Sequence, residues 1–160
     1  MTQQLNGEQI HDLYYFHALE DMTATFHRNI FNLISFIQVL LSTTVMADIA
    51  NLFPVGLLMA VLTTYLFIYK PGEIAGKAKE QARRYEKMIS AIGDMSVNEY
   101  MRRLDDSIDN DSPAPGALKK AAHIKADIAT ATNIEGTDAR IRSLTAGEKF
   151  YVFFAGGIQH

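Results

Sequence analysis

Cysteine is absent from this 160-residue chain, which excludes disulfide frameworks, thiol catalysis and Cys-based zinc sites. A positive charge balance is lacking too. The formal net charge is -3, and phosphate binding rests on grouped Lys and Arg, so nucleic acid is not an expected partner. There is no phosphate-cradling glycine loop, no Gly-x-Ser-x-Gly and no His-Glu-x-x-His. His11, His17 and His27 are separated by 6 and 10 residues, which puts them on different faces of a helix. Metal ligands on one helix want spacings of about 3 or 4. His123 and His160 are isolated in sequence. The chain therefore reads as a non-enzyme, with no catalytic residues, metal site or cofactor. Residues Thr2 to Gln9 are polar and no basic segment precedes a short apolar core, so the start does not read as a secretory leader. Convincing strand patterns and internal repeats are missing, which leaves an all-α expectation.

The most informative absence is local. From Asn29 to Tyr69 there is no Lys or Arg, and the only carboxylate is Asp48. A mean hydropathy close to zero hides this segregation. Two apolar segments, Ile30–Met46 and Phe53–Tyr69, cover 17 residues each. At about 1.5 Å per residue each reaches roughly 26 Å, just enough for a hydrocarbon core. Lipid offers the backbone no hydrogen bonds, so both segments are expected to be helical. Residues 47–52 would join them, with Asp48 and Asn51 capping helix ends in the headgroup layer. Pro54 fits the first turn of the second helix. The competing reading is a buried hairpin in a soluble protein, but a small domain could hardly cover two helices that are apolar all round. Lys and Arg set the orientation: Arg28 flanks the entry, Lys70, Lys77, Lys79, Arg83 and Arg84 follow the exit, and the loop has none. The positive-inside rule then places both termini in the cytoplasm and Asp48 outside.

The flanks read as cytoplasmic helices. Four regions result: an N-terminal helix (1–28), the hairpin (29–70), a helical region (73–109), and a linker with C-terminal helices (110–160). Asn6 with Gln9, Ser96 with Glu99 and Thr145 with Glu148 have capping-box spacing. Ile74, Ala78, Gln81, Tyr85, Met88 and Ile92 follow an alternating 4-3 spacing, a coiled-coil-like stripe expected to serve self-assembly. The basic residues after Lys70 form a membrane-proximal strip that could meet anionic lipid or stand solvated. The aromatic run Lys149–Ala155 should not stand in water, and packing within an assembly is its expected cover.

Polar residues inside the first segment supply the candidate site. Ser35, Gln38 and Ser42 share a helix face, and polar side chains at that depth face protein or water. Two readings stay open. They hydrogen-bond across a helix interface, or several copies line a pore with Asp48 and Asn51 at its mouth.

The layout resembles the SLATT family of two-span bacterial conflict-system proteins. The matching features are a helical lead-in ending in Phe26-His-Arg28, two short spans with a tight loop, and a charged helix beginning Lys70-Pro-Gly-Glu73. The resemblance covers about residues 8 to 92. It implies an oligomeric effector of the bacterial inner membrane that forms a pore or disrupts the bilayer, triggered by a nucleotide-signalling or sensor partner. The alternative is a non-catalytic membrane-anchored scaffold whose cytoplasmic helices recruit a partner protein.

Overall fold

The computed structural model describes residues 5–46, 52–132 and 136–158. These residues are all-helical with no strand. Asp48 and Asn51 lie outside the described residues.

The first helix, α1 (Gly7–Met46), runs unbroken for 40 residues. Asn6 and Gln9 start it with a reciprocal cap: the Gln9 N–H donates to Asn6 Oδ1 at 2.8 Å, and the Asn6 N–H donates to Gln9 Oε1 at 3.0 Å. No break marks the expected region boundary at residue 28. The return path along α1 is made by α2 (Leu52–Tyr69) and α3 (Pro71–Ser90). Lys70 separates them in the left-handed conformation (φ 45°), and Pro71 opens α3. Proline has no N–H to continue the helical ladder, which is why the axis is reset at this point. Of the described elements, α3 packs most extensively on α1.

The stripe on α3 is real but its partner differs from the expectation. Ala78, Gln81, Tyr85 and Met88 are buried, as the 4-3 spacing predicts for a packed face. They pack within this chain: Tyr85 and Met88 share a core with Leu13 of α1, Met95 and Tyr100. That face is covered within the chain.

Four shorter helices complete the fold: α4 (Val97–Ile108), α5 (Lys119–Ala129), α6 (Thr137–Arg142) and α7 (Ala146–Phe154). The Ser96 hydroxyl caps α4 through the Glu99 N–H, and Thr145 with Glu148 forms a full capping box on α7. Gly156 and Gly157 close α7 at φ 91° and 78°, a conformation open to glycine at little cost. A second core joins Ala18, Met22 and Phe26 of α1 to Leu118, Ala121, Ala122, Leu144, Val152 and Ala155. The aromatic run is thus covered in part by its own chain. Tyr151 stacks on Phe26 at 4.8 Å, while Phe150 and Phe153 remain 56% and 77% exposed.

Among the described residues every buried one lies outside 27–70. In α2 none is buried. Within the described residues one helical run, Leu52–Ser90, contains a stretch long and apolar enough to cross a membrane. Asn29, Asn32, Ser35, Gln38, Ser42, Thr43 and Thr44 place polar groups in the C-terminal half of α1.

Candidate functional site

The expected polar face sits on the stretch of α1 that pairs with α2. Gln38 Nε2 donates to Thr63 Oγ1 at 2.8 Å and ties the two helices together. The hydroxyls are satisfied locally: Ser42 donates to the Gln38 carbonyl at 2.8 Å and Thr43 to that of Val39 at 3.0 Å. A helical hydroxyl commonly bonds back to the carbonyl one turn earlier in this way. Ser35 is half-buried. Thr63, the partner of Gln38, is exposed. The Gln38–Thr63 pair is therefore a polar point on the outside of a hairpin whose other exposed side chains include Phe36, Val39, Leu40, Leu57, Leu58 and Val61. Thr63 was not among the sequence candidates. Its pairing depends on how far α2 slides along α1, which spacing within one helix does not encode.

Most of the basic strip is paired. Lys77 contacts Glu73 at 2.9 Å, Lys70 contacts the same carboxylate at 3.7 Å, Arg84 contacts Glu80 at 3.0 Å, and Lys79 reaches Asp21 of α1 at 2.8 Å. Exposed pairs of this kind contribute only about 0–1 kcal/mol each. Arg28 and Arg83 make no ion pair among the described residues.

Two polar clusters escaped the sequence reading, because each joins residues about a hundred positions apart. His123 is not isolated in space: its ring stacks on Tyr15 at 4.0 Å and lies 6.0 Å from that of His11. His11 Nε2 lies 3.0 Å from Asp127 Oδ1, and Asp127 also pairs with Arg140. Burial, and then the neighbouring His11, push the His123 imidazole below its ordinary value. No group of three or more His, Cys, Asp or Glu suited to a metal ion occurs among the described residues.

The second cluster is deeper. Glu20 is 2% exposed; its Oε1 accepts the Ser112 N–H at 2.8 Å, and its Oε2 is buried without a partner. Asp111 Oδ1 accepts from the Tyr85 hydroxyl at 2.7 Å and from Gln81 Nε2 at 3.0 Å. Burial raises the Glu20 carboxyl to about 7, against the Ser112 backbone bond, and the nearby Asp111 charge adds to the rise. Asp111 is raised as well, chiefly by burial. This explains the polar intruder in the stripe: Gln81 also donates to the Ser107 carbonyl at 2.6 Å and so anchors the segment after α4.

The site thus comprises an apolar hairpin with an exposed polar pair, carried on a module with one buried polar cluster around Glu20 and one partly exposed cluster around His11 and His123. No protein-family model, curated protein or solved structure matches the chain.

Proposed function

We propose that the chain is an oligomeric membrane effector. The C-terminal half of α1 and α2 enter the bilayer as a hairpin, and α3 to α7 with the N-terminal half of α1 form a cytoplasmic module. The inner membrane of a bacterium is the setting that the resemblance to the SLATT family implies, with a nucleotide-signalling or sensor protein as trigger.

The observation that carries this reading is the Gln38–Thr63 pair. It is exposed on a hairpin that has no buried residue in α2. In lipid, an exposed polar pair favours association with another helix, at about 0.6–2 kcal/mol per interaction. Copies that gather with this edge inward would hide it from lipid and line a shared path with it. The aromatic helix supports the depth of insertion. Asn29 Nδ2 donates to the Phe154 carbonyl at 2.7 Å, which fixes α7 at the residue where the uncharged stretch begins. Exposed Phe150 and Phe153 then lie at the level of the headgroups, where aromatic rings are favoured.

The anchored-scaffold reading has its own support in the same bond. Gln38 and Thr63 already satisfy one another within one chain, so a single hairpin can also stand alone in lipid. Membrane potential separates the two. Cells expressing the native chain should depolarise, and those expressing Gln38→Leu with Thr63→Val should not. A native chain that resides in the membrane fraction and leaves the potential intact, even with its partner system present, would sink the effector reading and leave the anchor.

A further inference from the structure

An open cavity of about 400 Å³ lies between α1 and α3, where the chain changes from charged to apolar. That volume is within the usual range of small-ligand sites, about 300–1,000 Å³. Its floor is made by small residues of the two helices, including Ala24 and Ala75, and by the Phe31 ring. The ring rests close to the α3 backbone, since a Cβ on Gly72 would lie 3.5 Å from it. Gly76 faces open space: a Cβ there would meet nothing within 4 Å.

The rim is cationic. Arg28 lines it and has no carboxylate partner among the described residues. Lys79 lines it too; one carboxylate, Asp21, lies 2.8 Å from its ammonium, which carries three N–H donors in all. Thr25 and Asn32 add neutral hydrogen-bonding groups. Below the rim the Phe31 ring, 41% exposed, supplies the apolar wall. A cationic, donor-rich rim over an apolar wall matches one molecular type: a phosphate carrying a hydrocarbon tail.

We infer that this cavity binds an anionic phospholipid, with the headgroup phosphate at Arg28 and Lys79 and an acyl chain lying along Phe31. A guanidinium suits phosphate because its fork of N–H groups can donate two bonds at once. The inference rests on the membrane reading proposed above. It gives the hairpin a preferred lipid and ties the angle between α1 and α3 to what occupies the gap.

The test uses the full chain in nanodiscs of mixed neutral phosphatidylcholine and anionic phosphatidylglycerol, with retained lipid counted by native mass spectrometry. Two variants accompany it. Arg28→Gln removes the charge. Gly76→Leu fills the cavity with a side chain that starts in open space and gains helix propensity, so loss of folding is not its expected effect. The native chain should retain phosphatidylglycerol over phosphatidylcholine on the order of tenfold, and both variants should lose most of that preference. Equal retention, or a preference that survives both variants, overturns the site. So does capture of inorganic phosphate in detergent as strong as capture of lipid, which would make this a soluble-anion site. Flotation with purely neutral vesicles is run alongside. If the chain floats there but shows no anionic preference, the lipid site fails and the membrane reading stands. If it does not float, both fall.

Discussion

Two consecutive helices, α2 and α3, meet at a single residue and both lie along α1, yet they obey different rules. α3 buries seven residues, and its exposed face carries Lys77, Lys79, Glu80, Arg83, Arg84 and Lys87. α2 buries none and has no charged residue at all. A helix in water needs one apolar stripe against protein and a polar remainder, which is α3. α2 is apolar on every side and uncovered by its own chain, and it is long and apolar enough to cross a membrane. The same division splits α1: Leu13, Ala18, Met22 and Phe26 are buried core, whereas Phe31, Leu33, Phe36, Val39 and Leu40 stand exposed. Helix formation is common to both regions; cover by the rest of the chain is what distinguishes them.

The sharpest way to break this comparison is a pair of matched truncations. Leu13 is 0% exposed and Leu57 is 59% exposed. In detergent, Leu13→Ala should lower unfolding stability by about 2–5 kcal/mol through lost packing and a cavity. Leu57→Ala should stay within about 0.5 kcal/mol. Equal losses in thermal melts would mean that α2 is packed against protein after all.

Glu20 gives the next largest effect and probes the packed region alone. Its carboxyl rises from an ordinary 4.5 to about 7 because of burial. The folded state therefore holds the proton more tightly than the unfolded chain. Stability is greatest below about pH 4.5 and declines as pH climbs through about 7. At about 1.4 kcal/mol per unit, the decline is roughly 3 kcal/mol. Glu20→Gln should flatten most of that slope in denaturant titrations at pH 5 and pH 8, leaving the smaller slope of Asp111, which is raised in the same direction. An unchanged slope would show that Glu20 is solvated.

Thr145→Ala removes the hydroxyl that caps α7 and should cost about 1 kcal/mol. Hydrogen exchange of the α7 amides should speed up while α3 is unaffected. Uniform acceleration across both would mean that α7 is an integral part of the α3 core.

The smallest effect belongs to the junction itself. Lys70 holds φ 45° without being glycine. Lys70→Gly should relieve that conformation and be neutral to about 1 kcal/mol stabilising in detergent melts. A clear loss would show that the Lys70 side chain, 3.7 Å from Glu73, matters more than its backbone strain.

Local features were legible because they depend on neighbours in sequence. The caps at Asn6, Ser96 and Thr145 lie where capping spacing put them, and the break falls at Lys70-Pro71. The stripe through Ala78, Gln81, Tyr85 and Met88 was legible as a packed face, but a stripe does not name its partner, and α1 of the same chain took the place expected of a second copy. The aromatic run shows the same division. That it needed cover could be read from composition, whereas its docking on Phe26 and Asn29 required the long return of the chain.

By itself the sequence determined the helical character of the chain, the caps at Asn6, Ser96 and Thr145, the break at Lys70-Pro71, and the uncharged stretch from Asn29 to Tyr69 that separates two kinds of surface. Those follow from propensity, capping and hydropathy, which act over a few residues. Only the tertiary structure decided that Gln38 meets Thr63, that Glu20 is buried near Asp111, that His11 approaches His123, and that Arg28 and Gly76 face one cavity. Each of those depends on the register and angle at which helices pack, and packing is settled by the fit of whole surfaces.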